Sequence, residues 1–145
     1  DVGADKILDF VDVGLPSSIC STDIYKEKFE QMLSRIAKEN ADVAIIEIGV
    51  SPLEPYNGDI AINALREHIK CTILSASDPY AVYGLMKAFE LVPDIVTGVA
   101  SNTLAGARMV KELCGVRALN LIDSTTTKAL KEILTEKTGM SLKTK

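Results

Sequence analysis

The chain has 145 residues, of which 47% are apolar and 25% are charged, a mix typical of one soluble globular domain. Its formal net charge of −4 and its scattered basic residues argue against a nucleic-acid-binding surface. No apolar run reaches the roughly 20 residues that a membrane span needs, and no signal peptide opens the sequence. We therefore expect a cytoplasmic protein that binds neither nucleic acid nor membranes.

The cysteines and the histidine are too few and too scattered for a zinc site. Cys20, Cys71 and Cys114 form no CxxC pair, and reduced, partly buried thiols suit a cytosolic protein. His68 falls near the end of a predicted helix, where the helix dipole favours it, and is interpreted as structural. Because the sequence opens at Asp1 without an initiator methionine, we expect a fragment of a longer protein.

The first 20 residues predict a strand followed by a loop. The run Lys6–Asp12 has a partly alternating apolar pattern and is closed by Gly14. Asp9 and Asp12 stand in this run. Acidic residues at strand ends are more often solvated or capping than ligands, and a ligand role for these two stays open.

A helix follows, capped by Ser21 or Thr22 and running to about Glu39. Its apolar residues recur at helical spacing, and they are Tyr25, Phe29, Met32, Leu33 and Ile36. Such a stripe is typical of core packing rather than of cofactor binding.

The most informative stretch is Ala41–Asp59. An apolar run, Val43–Ile46, is followed by Glu47. The predicted strand stops at Gly49, where a loop with two prolines begins. A short β-branched run of this kind predicts a strand covered on both faces. A carboxylate at the carboxyl end of a central parallel strand lies where open α/β sheets bind their ligands.

Strands and helices alternate from this stretch onward, which predicts crossover connections and a parallel sheet. The later elements are a helix over Ile60–Ile69, a strand over Cys71–Leu74, a helix from Pro79, a strand over Asp94–Ala100, a helix over Leu104–Cys114, a strand over Arg117–Ile122 and a helix over Thr125–Lys137. The predicted fold class is α/β: a three-layer α/β/α, Rossmann-like arrangement with a mainly parallel sheet. One domain spans residues 1–145, with a strand and loop in 1–20 and repeated strand–helix units in 41–139.

The loops after the predicted strands leave one edge of the sheet and carry acidic and hydroxyl groups without a basic residue. They contain Glu47, Glu54, Asn57, Asp59, Ser75, Ser77, Asp78, Ser101, Asn102, Thr103, Asp123 and Ser124. Such a rim suits a cation or a hydroxylated ligand and is poorly suited to gripping a phosphate alone. The predicted substrate-binding residues are Glu54, Tyr56, Asn57, Asp59 and Ser75.

Three motifs of nucleotide and hydrolase chemistry are absent from the sequence. There is no GxxxxGK[ST] phosphate loop, no GxGxxG after a strand and no GxSxG elbow. By itself the chain therefore cannot cradle a nucleoside triphosphate in the P-loop manner, and a Ser-His-Asp triad would have to use His68.

Three stretches, AIIEIG (Ala44–Gly49), TILSASD (Thr72–Asp78) and TGVASNT (Thr97–Thr103), resemble the later part of P-loop NTPases of the dethiobiotin-synthetase-like type. The fuller pattern also resembles uncharacterised bacterial proteins in which a phosphate-loop segment precedes it. The resemblance covers nearly the whole chain. It implies the carboxyl-terminal portion of a longer ATP-binding protein.

The resemblance also implies residue roles. Glu47 would lie on the magnesium side of the nucleotide, acting through bound water. Asn102, with Thr103, would contact the adenine, and Asp78 is assigned to the cofactor as well. The implied cofactors are ATP and Mg²⁺, and the implied partners are an upstream N-terminal domain of the same chain and a small-molecule substrate. Ligase-like or kinase-like activity would need the full-length protein, since the phosphate loop that would define the activity is missing from this chain, and no cofactor is evident for the fragment.

Two other interpretations stay open. The chain could be a non-catalytic α/β module for a small ligand or a partner domain, with Glu47 as a buried carboxylate that accepts backbone N–H groups from Ser51–Tyr56. It could also be a metal-dependent hydrolase with Glu47, Asp59 and Asp78 as oxygen ligands, which would suit magnesium better than zinc. The modest net charge leaves a homodimer open as well.

Overall fold

The computed structural model describes residues 4–49, 51 and 54–141. The chain divides into two compact units, Asp1–Glu67 (unit 1) and His68–Lys145 (unit 2). Helices are combined with a parallel strand pair, so the fold is of the mixed α/β kind. In the described ranges, no helix has both the length and the apolar character that crossing a membrane requires.

The described part of unit 1 is built on α1 (Thr22–Lys38) and α2 (Gly58–Leu65). Phe29 on α1 is buried, and its ring stacks on that of Tyr25 with the centroids 5.8 Å apart. Ala61 and Leu65 on α2 pack in the same cluster as Phe29. The core of unit 1 is therefore a contact between helices, made by the stripe that the sequence predicts for α1.

The predicted strand over Lys6–Asp12 is wrong, because Phe10–Val13 forms a 3-10 helix. The Asp9 carboxylate accepts the Phe10 N–H at 2.6 Å, and the Asp12 carboxylate accepts the Asp9 N–H at 2.8 Å. Short acidic side chains that bond the nearby backbone in this way compete with strand formation. Both aspartates therefore act as local caps.

The predicted central strand is also wrong. Residues 41–49 form no strand, and Ile45 is 94% exposed. A strand needs a neighbour for its backbone hydrogen bonds, and the described part of unit 1 contains none. Ile48 packs against the α1–α2 cluster, whereas the other residues of 41–49 are exposed to solvent. In the loop that follows, Val50, Pro52 and Leu53 lie outside the described residues.

Unit 2 alternates strands and helices as predicted. Its elements are β1 (Ile73–Ser75), α3 (Pro79–Phe89), β2 (Ile95–Thr97), α4 (Leu104–Cys114) and α5 (Thr127–Thr138). β1 and β2 are parallel, with Leu74 opposite Val96. On the other side of β2, Val96 forms a parallel bridge with Ala118. The predicted strand over Arg117–Ile122 is thus reduced to a single bridge.

The apolar core of unit 2 lies where α3 and α4 pack on β2. Val82 on α3, Val96 on β2 and Val110 on α4 each have 0% exposure and belong to one cluster. Full burial of such a side chain contributes about 1.5–3 kcal/mol. The two crossover helices therefore cover the same face of the parallel strands, as strand–helix–strand units do.

The helix ends of unit 2 carry residues that capping chemistry favours. Pro79 opens α3 directly after Asp78, and Thr103 directly precedes α4. Gly115 and Gly139 end α4 and α5, as expected of a residue that tolerates a left-handed backbone. The starts of α3 and α4 determine where the loops that follow β1 and β2 end.

Candidate functional site at the carboxyl edge of unit 2

The carboxyl ends of β1 and β2 lead into loops that are hydrogen-bonded to each other. The Ala76 N–H donates to the Thr97 carbonyl at 3.1 Å, and the Ala100 N–H donates to the Ala76 carbonyl at 3.0 Å. A third loop, after the bridge at Ala118, is joined to these through Ser101. The three loops meet at the edge where parallel α/β sheets bind ligands, and we call this the carboxyl edge.

Ser101 is the buried polar side chain of the carboxyl edge, with 4% exposure. Its Oγ lies 3.0 Å from the Gly98 carbonyl oxygen and 3.0 Å from the Leu119 carbonyl oxygen. A buried hydroxyl that shares its one proton between the carbonyl oxygens of two loops links those loops. The sequence places Ser101 on the rim but does not reveal this bridge, because nothing local marks a hydroxyl as buried.

Gly98 allows the closest approach between the first two loops. Its φ of 80° and ψ of −160° fall in a region that is essentially restricted to glycine. A Cβ at this position would lie 2.7 Å from Ser75 Oγ and 2.8 Å from the Ala76 carbonyl oxygen. The predicted strand over Asp94–Ala100 contains Gly98, whereas β2 ends at Thr97. A glycine inside a predicted strand is the sequence signal for such an approach.

Asp78, predicted to bind a cofactor, caps α3. One carboxylate oxygen accepts the N–H groups of Tyr80 and Ala81, each at 2.9 Å, and the other accepts the Ser77 hydroxyl at 2.8 Å. The bond from Ala81, followed by the bond from Ser77, lowers the pKa of Asp78. The carboxylate is therefore ionised at neutral pH, and both of its oxygens are engaged within the chain.

Asn102 and Thr103 are adjacent but differ in what their side chains do. Thr103 Oγ1 accepts the Gly106 N–H at 3.0 Å and caps α4. Asn102 is exposed, and so is Ser75 at the end of β1. Among the predicted residues of this edge, Asn102 and Ser75 therefore offer accessible polar groups, whereas Thr103 and Asp78 serve as caps.

The other predicted site residues belong to unit 1. Glu47, Glu54 and Asp59 are exposed, and Tyr56 is half-buried. Since Glu47 is exposed and lies outside any strand, the interpretation of this residue as a buried carboxylate is wrong. Its exposure leaves the carboxylate accessible to a ligand.

Asn57 has a visible structural role in unit 1. It adopts a left-handed backbone conformation with φ 59° directly before α2. Its side-chain amide donates to the carbonyl oxygens of Ser18 at 2.8 Å and Cys20 at 3.2 Å. These bonds fasten the segment before α1 to the start of α2, so the amide nitrogen of Asn57, a residue predicted to bind substrate, is already bonded within the chain.

The described residues contain no group of three or more His, Cys, Asp or Glu side chains that could hold a metal ion. The hydrolase interpretation, which needs Glu47, Asp59 and Asp78 around one magnesium ion, therefore receives no support. One surface depression in unit 1 is lined by α1 alone, and one in unit 2 is lined by α5 alone. Neither includes a predicted site residue.

A charged cluster lies at the opposite, amino end of β2. Asp94 Oδ1 is 2.7 Å from Lys137 Nζ, and Asp94 Oδ2 accepts the Thr72 N–H at 2.8 Å. Burial alone would raise the pKa of Asp94, but the bonds from Lys137 and Thr72 outweigh it and lower the pKa. Burial and then Asp94 raise the pKa of the Cys71 thiol, which makes it a poor nucleophile. This cluster fastens α5 to β2.

No family model, curated protein or solved structure matches the chain. In unit 2, Ser75 and Asn102 give the carboxyl edge its accessible polar groups, and Gly98 allows the close approach of the loops.

Proposed function

We propose that the carboxyl edge of unit 2 binds the adenine of ATP, in a cytoplasmic protein whose complete fold is three-layered and Rossmann-like. The observation that carries the proposal is the close meeting of loops at Gly98, beside the exposed Ser75 and Asn102. Parallel α/β sheets commonly bind nucleotides at this edge. The resemblance of this stretch to nucleotide-binding proteins supports the same choice of ligand.

Asn102 is the residue that we assign to base recognition. A side-chain amide has a donor and an acceptor side by side, the pair that matches the amino group and a ring nitrogen of adenine. Because Asn102 is exposed, its amide need not be released from packing before it binds. Asp78 and Thr103 would act on the nucleotide indirectly, by fixing the starts of α3 and α4.

The residues that we propose for the second substrate, Glu54, Tyr56 and Asp59, belong to unit 1. We further propose that Glu47 acts through bound water on a magnesium ion that an upstream phosphate-loop segment would hold, since the described residues form no metal-binding group. Replacing Glu47 with Gln in a protein that carries such a segment should abolish ATP turnover. Turnover at the unaltered rate would remove Glu47 from this role.

Thermal unfolding of the 145-residue chain with and without ATP tests the adenine site. A ligand that binds only the folded state stabilises it by about 1.4 kcal/mol at ten times its Kd, which raises the Tm of a domain of this size by several degrees. Asn102→Ala should abolish the rise, whereas Asn63→Ala, at an exposed position on α2, should retain it. A rise that survives Asn102→Ala contradicts the assignment, and no rise in the unaltered chain contradicts the adenine site.

A non-catalytic module that binds a small ligand or a partner domain is the second candidate. It is favoured by the local roles of predicted site residues, because Asp78 and Thr103 cap helices and the Asn57 amide bridges backbone segments. Such a module would bind its partner in the absence of ATP. If the affinity for the partner is the same with and without ATP, and is unchanged by Glu47→Gln, the non-catalytic module is favoured over an ATP-dependent enzyme.

A further inference from the structure

Three helix starts at the carboxyl edge of unit 2 are already capped by side chains of this chain. Asp78 accepts the N–H groups of Tyr80 and Ala81 at the start of α3, and Thr103 accepts that of Gly106 at the start of α4. Asp123 caps the third, which is a 3-10 helix (Ser124–Thr126) that runs directly into α5. Helix starts bind phosphate through free backbone N–H groups, and these three have already committed such groups.

The charge of the same edge also disfavours phosphate. The loop segments 76–78, 98–103 and 119–126 contain two acidic residues, Asp78 and Asp123, and no Lys or Arg. Hydrogen bonds lower the pKa of both carboxyls, with the Ala81 N–H as the first cause for Asp78 and the Thr125 hydroxyl for Asp123. Both carboxylates are therefore negative at neutral pH and repel an anion that approaches this edge.

Large apolar side chains on the second and third loops and at the first position of α4, in contrast, are open to solvent. Val99 is 68% exposed, Leu104 is 93% exposed and Ile122 is 87% exposed. Leu104 directly follows Asn102 and Thr103, and Ile122 directly precedes Asp123. A flat, neutral heterocycle that is hydrogen-bonded to Asn102 would cover such apolar surface, whereas a phosphate group would not.

We propose that the carboxyl edge accepts the neutral base of a nucleotide against Leu104 and Ile122 and excludes its phosphates. This inference rests on the proposed adenine site and specifies which part of the ligand the site takes. The phosphates then extend away from the capped helix starts and add nothing favourable to affinity in this chain. Adenosine is therefore at least as good a ligand of the chain as ATP.

The test is a titration of the 145-residue chain, followed through its backbone amide resonances, with adenosine, ATP and tripolyphosphate. Divalent ions are left out so that the phosphates keep their full charge. Adenosine and ATP should shift the same resonances with Kd values within about threefold of each other, with ATP the weaker ligand because of screened repulsion. Tripolyphosphate should leave the amides of Tyr80, Ala81, Gly106 and Thr125 unshifted.

Serine variants test the apolar contact. Leu104→Ser and Ile122→Ser remove side chains that the folded chain leaves exposed, so both variants should fold and should bind adenosine about tenfold more weakly. Val92→Ser is the matched control, because Val92 is 72% exposed but precedes β2, at the amino end of the strands. Val92→Ser should bind adenosine with the affinity of the unaltered chain.

Each contrary result has a different meaning. ATP binding about tenfold tighter than adenosine, or amide shifts with tripolyphosphate at the helix starts, would overturn the exclusion of phosphates and leave the adenine site standing. Adenosine affinity unchanged by Leu104→Ser and Ile122→Ser would overturn the apolar contact. Failure of both adenosine and ATP to bind would remove the proposed adenine site together with this inference.

Discussion

Unit 1 and unit 2 each contain a short β-branched run that reads as a strand, and the two runs differ in their surroundings. Ile45 in unit 1 is 94% exposed, whereas Ile95 in unit 2 is 0% exposed. Ile95 lies on β2, which has β1 on one side and the bridge at Ala118 on the other. Residues 41–49 have no strand beside them in the described part of unit 1.

The difference shows that side-chain type alone does not make a strand. Val, Ile and Thr favour strands because they pack on a pleated surface that is already half-buried. In unit 2, α3 and α4 cover the Val96 face of β2. Ile95 points to the other face of the strand and is buried there as well. In unit 1, the α1–α2 cluster reaches Ile48 and leaves Ile45 in solvent.

The largest expected effect compares these two isoleucines directly. Ile95→Ala should lower the free energy of unfolding by about 2–5 kcal/mol, because it removes buried methyl groups and leaves a cavity. Ile45→Ala should change it by less than about 0.5 kcal/mol, as exposed positions do. Urea denaturation of both variants measures the difference. A large loss for Ile45→Ala would mean that residues 41–49 are buried in solution.

A second comparison uses a glycine from each unit. Gly98→Ala should cost more than the roughly 1–2 kcal/mol of a positive φ alone, because the added Cβ meets Ser75 Oγ and the Ala76 backbone. Gly14→Ala, at φ 83° with nothing within 4 Å, should cost the backbone strain alone. Urea denaturation gives both values, and equal costs would contradict the close approach of the loops at Gly98.

Helix caps give a third, smaller contrast. Thr103→Ala removes the acceptor for the Gly106 N–H and should cost about 1 kcal/mol of stability. Ser21→Ala, at the start of α1, should have almost no effect because the Ser21 side chain makes no capping bond. The free energies of unfolding of the two variants are compared through their urea midpoints, with the slope m of that free energy against urea concentration held the same. Equal losses would show that a cap forms at Ser21 in solution.

The smallest expected effect concerns pH. The folded-state pKa of Asp94 lies below its ordinary value of 3.8, because the bonds from Lys137 and Thr72 outweigh burial. Its contribution to stability is therefore complete above about pH 4 and is lost as the pH falls through the lowered pKa. Asp94→Asn should therefore make the fall in Tm at acid pH less steep, that is, flatten the acid limb of a plot of Tm against pH.

Glu27 provides the control for this profile. It pairs with Lys28 at 3.6 Å in unit 1, and its side chain is 66% exposed. Exposed pairs of this kind contribute little to stability, so Glu27→Gln should leave the acid limb as it is. Equal flattening by Glu27→Gln and Asp94→Asn would contradict a specific role for the Asp94–Lys137 pair.

The helices were the most predictable elements of both units. The helical spacing of Tyr25, Phe29 and Leu33 predicts α1, and the Asp78–Pro79 pair marks the start of α3 within one turn. The end of α2 was less predictable, because the helix stops at Leu65 and leaves His68 outside. Apolar spacing continued past that point, and no glycine or proline marked the stop.

The candidate site was predictable in part. Ser75, Asp78, Asn102 and Thr103 were expected at one edge, and unit 2 brings their loops together there. Their division into caps and accessible groups was not predictable, because Asp, Asn, Ser and Thr serve equally well as caps and as ligands. Only the hydrogen bonds of Asp78 and Thr103 distinguish these roles.

Local sequence specified most of the helices and the alternation of strands and helices in unit 2, since the apolar spacing and the capping residues that favour them lie within a few residues of each other. Tertiary structure decided which β-branched runs became strands, because a strand is completed by hydrogen bonds to residues distant in the chain. It also decided that Ser101 is buried between two loops while Leu104 and Ile122 stay exposed. Burial depends on neighbours that local sequence does not specify.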